Sequence, residues 1–221
     1  MTGWEAALKG LADTLVMFVV LVNLRLLGAS RLGSCIRIVA IQGLLLGLLP
    51  LVSQGTNLGL RVLLQAAVSM ILKGIVFPSL LNRAVRESQA RRELAPIVGY
   101  TPSLLAGGGL LALALWLGGR LPLPGTTVSS LLVPTALFTI MVGLFMIVAR
   151  RKAITQVLGY LAIENGIFAF GLAFAEREPF LVEMGILLDA FMAVFVMGIM
   201  VYQINREFDH IDTDRLSELK D

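Results

Sequence analysis

Long apolar stretches, separated by short links rich in Arg, Gly and Pro, run from one end of the chain to the other. The stretches do not alternate as a half-buried strand would, and they lack the polar face of a helix on a soluble domain. An α-helix needs about 20 such residues to cross the hydrocarbon core of a bilayer. Seven spans are predicted on this basis: Ala7–Leu27, Ile36–Ser53, Leu58–Leu80, Leu104–Gly118, Val128–Ala149, Ile154–Phe174 and Phe180–Gln203. The fourth is the shortest and carries three glycines, Gly107 to Gly109, near its start. The third is expected to continue as a polar helix from Asn82 through Glu93. Pro102, Pro122, Pro124 and Pro134 mark helix starts or loops, where a missing N–H is tolerated. The predicted fold is all-α, a polytopic membrane protein of about seven transmembrane helices.

Composition agrees with this pattern. Of 221 residues, 57% are hydrophobic and 15% charged, against roughly 25% charged in a soluble domain. Little chain remains for a soluble domain once the spans are assigned. The single Cys, Cys35, and single His, His210, exclude a disulfide framework and a Cys/His metal site within this chain. No Gly-rich loop follows a strand-like segment, so nucleotide binding has no support. The isoelectric point near 9.4 does not imply nucleic acid, because Lys and Arg sit between the spans, as membrane topology requires. Met1 to Gly10 holds Glu5 and one Lys with no suitably placed cleavage site, and is read as the start of a retained helix rather than a signal peptide.

The basic residues also orient the chain. With seven spans the termini lie on opposite sides. Thirteen of the 18 Lys and Arg then fall on the side of the C-terminus, four on the other, and Lys73 lies inside a span. The positive-inside rule places the N-terminus outside and the C-terminus in the cytoplasm. Arg150, Arg151 and Lys152 are read as a topology anchor. Asp13 and Asn23, near the ends of the first span, are read as solvated, as is His210 in the acidic tail. Met192, Met197 and Met200 are read as ordinary packing.

A repeat is visible. Ala40-Ile-Gln-Gly aligns with Ala162-Ile-Glu-Asn, Leu63-Leu-Gln-Ala with Leu187-Leu-Asp-Ala, Lys73-Gly with Met197-Gly, and Asn82-Arg with Asn205-Arg, at a nearly constant offset. Spans one to three thus read as a copy of spans five to seven in the same orientation. The expected organisation is a first three-helix repeat with a cytoplasmic extension (1–95), a linker helix (96–126), a second three-helix repeat (127–205) and a cytoplasmic tail (206–221).

Two acids stand out, Glu164 and Asp189, each near the middle of its span. An ionised carboxylate at the centre of a membrane helix costs about 3 kcal/mol on insertion scales, so acids there are rare and commonly functional. Such groups relay protons or lock helices together. The aligned positions of the first copy are Gln42 and Gln65, which hydrogen-bond but do not titrate near neutrality. Tyr160, one turn before Glu164, is a candidate hydrogen-bond partner, with Gln156 and Asn165 on the same helix. Lys73 is read either as a partner or relay for a buried carboxylate, or as a side chain snorkelling to the cytoplasmic face.

Spans five to seven resemble subunit K of respiratory complex I and the equivalent small membrane component of Mrp-type sodium/proton antiporters. The residues that carry the likeness are Val142-Gly-Leu, Ala149-Arg-Arg-Lys, Leu158-Gly-Tyr-Leu-Ala-Ile-Glu-Asn and Leu188-Asp-Ala-Phe-Met-Ala, with the ending from His210 to Lys220 similar in character. The whole layout resembles hydrogenase 4 component E, a membrane subunit of formate-hydrogenlyase-type complexes. The resemblance implies a non-catalytic subunit of an energy-converting complex in a prokaryotic inner membrane. It implies antiporter-like partner subunits and a hydrogenase- or quinone-reductase-like peripheral arm. It places any [NiFe] centre, iron–sulfur clusters or quinone in those partners, and no cofactor in this chain. It implies a proton path through Glu164 and Asp189, to which the residues themselves add Lys73 and Tyr160 as candidates. Asp189 stands where the family has its second glutamate, while Glu164 falls about one turn later than the first. Two other functions stay open on the residues alone: a purely structural membrane clamp, and a stand-alone small-solute or ion transporter.

Overall fold

The structure is a computed structural model that describes residues 3–53, 59–87, 97–121, 129–150, 152–174 and the helical positions 191, 194, 195 and 198. Its helices are α1 (Gly3–Leu27), α2 (Leu32–Ser53), α3 (Leu60–Ile71), a π turn (Leu72–Val76), α4 (Phe77–Glu87), α5 (Tyr100–Gly118), α6 (Leu132–Ala149) and α7 (Ala153–Ala173). Among the described residues, six helices are long and apolar enough to cross a membrane, α3 doing so together with the π turn and α4. The chain is therefore an all-α polytopic membrane protein. The predicted seventh span, with Asp189, and the tail after Asn205 lie outside the described residues apart from the helical positions given.

The boundaries follow from local chemistry. α5 begins at Tyr100, a turn earlier than the apolar count suggests, because Pro102 sits in its first turn, where no N–H is needed. The third span is interrupted by the π turn. Pro78 comes two residues after its end and has no N–H to give, and its ring would crowd the carbonyl of Gly74 in a regular helix. The backbone widens instead, and the Phe77 N–H bonds five residues back, to the carbonyl of Leu72.

Burial separates an inner from an outer set. α2, α6 and α7 are 61%, 61% and 67% buried, whereas the third and fourth spans are each 22% buried. With no hydrophobic drive between helices in lipid, close backbone approach matters most. The tightest contact is between α6 and α7, where a Cβ at Gly143 would stand 2.5 Å from the Gly159 carbonyl oxygen and one at Gly166 2.6 Å from Ile140. Gly43 and Gly47 of α2 similarly admit Lys73 and Met70 of the third span.

The apolar core is split in two. One cluster gathers Leu26, Leu32, Phe77, Phe138, Met146 and Leu158; the other gathers Val16, Leu49, Val133 and Phe168. Along α1, α2 and α7 the change from one cluster to the other falls at Asn23, Gln42 and Glu164-Asn165. A layer of polar side chains occupies that boundary.

Arg150, read as part of a topology anchor, is 2% exposed. Its Nη2 donates to the carbonyl of Leu27 at 3.0 Å, and its guanidinium lies over the Tyr100 ring. A cation at the carbonyl end of α1 offsets the helix dipole and fills an acceptor left open by the helix end.

Candidate functional site: a buried polar layer with an ion pair

The layer begins on the third span. Lys73 stands in the π turn, 4% exposed, and Glu164 lies midway along α7, 3% exposed. Their Nζ and Oε1 are 3.2 Å apart. Gly43 makes the pairing possible, since a Cβ there would come within 2.6 Å of the Lys73 Cβ. The Lys73 ammonium also lies 4.8 Å from the centroid of the Phe168 ring, one turn beyond Glu164. The snorkelling alternative for Lys73 is thus overturned, because its charge points into the bundle.

From Asn165 the layer continues as a ladder of uncharged groups. Asn165 Nδ2 donates to Gln42 Oε1 at 3.2 Å, and Gln42 Nε2 donates to Asn23 Oδ1 at 3.0 Å. Asn23 Nδ2 donates to Thr139 Oγ1 at 2.8 Å, and Thr139 donates to the carbonyl of Thr135 at 2.7 Å. Four helices, α7, α2, α1 and α6, are joined by this one directed chain. Each interhelical bond in a membrane protein contributes on the order of 0.6 kcal/mol, and losing a partner at such depth costs more.

Asn23 corrects the expectation of a solvated residue: it is completely buried. Counting residues from the end of the span misjudged its depth because Arg150 covers the end of α1 and draws it into the protein. Thr139 carried no signal of its own, since a hydroxyl in a span commonly satisfies itself on a backbone carbonyl. Tyr160 does not join the site. It is 45% exposed and meets Phe195 edge to face, with ring centroids 6.0 Å apart. A position one turn from Glu164 shares a general direction, yet the long ring packs against Phe195. Asp189 lies outside the described residues.

A cavity of about 10 Å³, the room one water molecule needs, opens beside the ion pair and is lined by Lys73, Asn165, Phe77, Pro78 and Leu81 among others. It lies on the α4 side of Lys73. Among the described residues, no group of three or more His, Cys, Asp or Glu is placed to hold a metal ion.

Helices with a polar layer at mid-depth define a polytopic membrane protein with a candidate ion-handling site. Comparison with known proteins gives its kinship. The chain is similar to an uncharacterised protein of Mycobacterium tuberculosis, 33% identical over 206 residues, which cover 91% of this chain and 92% of the relative. It is similar to hydrogenase-4 component E of Escherichia coli K12, 29% identical over 72% of this chain and 74% of the relative, and equally to that of Shigella flexneri. The family model of NADH-ubiquinone/plastoquinone oxidoreductase chain 4L matches residues 131–221. No solved structure matches. The chain belongs to the hydrogenase-4 component E family, with a chain 4L-like C-terminal region, and is a multi-pass inner-membrane protein.

Proposed function

We propose that this chain is a non-catalytic membrane subunit of an energy-converting, complex I-like assembly, in which Glu164 and Lys73 pass protons as electrons move elsewhere in the complex. The observation that carries the proposal is the ion pair itself. Two opposite charges, each almost wholly buried, meet at 3.2 Å where the helices need neither. Gln42, the aligned position of the first copy, occupies the same layer with an uncharged group. A buried pair of this kind is weak support for stability, since apolar replacements of both partners often serve as well. It does bring a proton donor within reach of a carboxylate, which is what a relay requires.

The named relatives are components of a hydrogenase and of a quinone oxidoreductase, which supports antiporter-like membrane subunits and a hydrogenase- or quinone-reductase-like arm as partners. Iron–sulfur clusters and a [NiFe] centre do not fit this chain, whose one Cys is buried among apolar side chains. They belong in partner subunits.

The test is the assembled complex in membrane vesicles with Glu164→Gln or Lys73→Met. We expect electron transfer to persist while proton movement falls at least about tenfold, as for loss of an essential relay group. Normal proton movement in both variants would refute the relay. Loss of assembly in both would favour the structural clamp.

A further inference from the structure

The surroundings of the ion pair bear on which cation it serves. Lys73 Nζ lies 3.2 Å from Glu164 Oε1, with both side chains almost wholly buried. The Lys73 stem packs on Gly43, and its ammonium lies 4.8 Å from the centroid of the Phe168 ring. A tethered ammonium thus already fills a cation's place beside the carboxylate. A second monovalent cation there would meet that charge at close range, in surroundings too dry to screen it.

An inorganic cation also needs oxygens. Sodium leaves water only where several carbonyl, hydroxyl or carboxylate oxygens replace its hydration shell. In the layer beside Glu164 such oxygens are already engaged. Gln42 Oε1, Asn23 Oδ1 and Thr139 Oγ1 each accept a hydrogen bond from the next helix. α7 runs unbroken through Glu164, from Ala153 to Ala173, so it offers no unwound carbonyls there. Of the described residues lining the small cavity, Lys73 and Asn165 alone have polar side chains, and its volume of about 10 Å³ is too small for a hydrated ion. A proton makes none of these demands. It forms one O–H bond on the Glu164 carboxylate, and the ion pair becomes a hydrogen bond from the Lys73 ammonium to the carboxyl group.

We infer that Lys73 sets the ion specificity of this site: its ammonium stands in for an alkali cation, so that Glu164 exchanges protons and does not bind sodium. This rests on the reading of the pair as a proton relay and adds the residue that selects the ion. Lys73→Gln removes the charge and adds an amide oxygen beside the carboxylate, and should turn the same place into a sodium site.

Binding, rather than movement, is the readout. The assembled complex in detergent is heated in sodium chloride or in choline chloride of equal ionic strength, and loss of this chain from the soluble fraction gives its melting temperature. The parent and Glu164→Gln should each melt at the same temperature in the two salts. Lys73→Gln should melt at least about 3 °C higher in sodium than in choline at roughly 0.1 M, because a ligand that binds only the folded state stabilises it. Adding Glu164→Gln to Lys73→Gln should abolish that difference. A sodium-specific rise in the parent that Glu164→Gln removes overturns the inference, and this comparison needs no Lys73 variant to assemble. Equal melting of an assembled Lys73→Gln complex in both salts overturns it too, since the ammonium is then not what keeps sodium out. The relay fails on a different measurement. Proton movement unchanged in Glu164→Gln and Lys73→Met refutes the relay and leaves the salt response standing, whereas a sodium response in the parent with proton movement lost in Glu164→Gln refutes the specificity alone.

Discussion

Two polar assemblies share the middle of this bundle and are built on different rules. The ladder from Asn165 through Gln42 and Asn23 to Thr139 contains no titrating group, and each donor finds one acceptor on the next helix. The pair of Lys73 and Glu164 is charged, adjoins a small cavity and sits on an irregular turn of helix. One ties α1 to the inner helices α2, α6 and α7. The other reaches from α7 to the third span, which is only 22% buried. Uncharged amides suit a joint that must stay closed, because they gain nothing by exchanging a proton. A charged pair between an inner and an outer helix is the arrangement that the proposed relay uses.

The difference can be broken from either side. The largest expected effect on stability comes from Glu164→Leu or Lys73→Leu alone, which strands a buried charge and should destabilise the protein by roughly 3–5 kcal/mol. The double variant should recover most of this loss in a denaturant titration in detergent, since both charges leave together. Recovery of stability without recovery of proton movement would separate the pair from the ladder in function.

Next in size is Gln42→Leu, which removes the ladder's middle rung and leaves Asn23 and Asn165 each with an open hydrogen bond. A loss of about 1–3 kcal/mol is expected, read as a lower melting temperature with proton movement per assembled complex retained. Loss of movement at unchanged stability would mean that the ladder too is part of the path. Gly43→Ala should cost a comparable or smaller amount, about 1–3 kcal/mol of overpacking, because its Cβ would meet the Lys73 stem at 2.6 Å. Here the helices are pushed apart at the ion pair, so proton movement should fall along with stability. Tyr160→Phe should do least. Its hydroxyl serves neither assembly, and proton movement and melting temperature should both match the parent protein.

Much of the architecture was legible because the bilayer imposes so few solutions. Apolar length defined the six described spans, with errors of a turn at Tyr100, where a proline early in a helix hid its start. The importance of Glu164 was legible too, since an acid in such surroundings is expensive wherever it lies. Its partner was offered only as one of two readings of Lys73. Lys73 lies 91 residues away in the chain, and neither its direction nor the π turn induced ahead of Pro78 is visible in hydropathy. Asn23 was misplaced because distance along a helix cannot register that other helices cover it. Tyr160 was misplaced in the opposite sense, since one turn of separation gives direction but not reach.

The chain by itself determined that it crosses a membrane as helices and which of the described stretches do so. These properties follow from local composition, because lipid requires every backbone polar group to be satisfied within the segment. Only the tertiary structure decided which polar groups meet. Glycines at 43, 143, 159 and 166 let particular helices approach, and that approach set Glu164 against Lys73 and Asn165 against Gln42. Pairings of this kind depend on helix rotation and contact distance, which no single segment encodes.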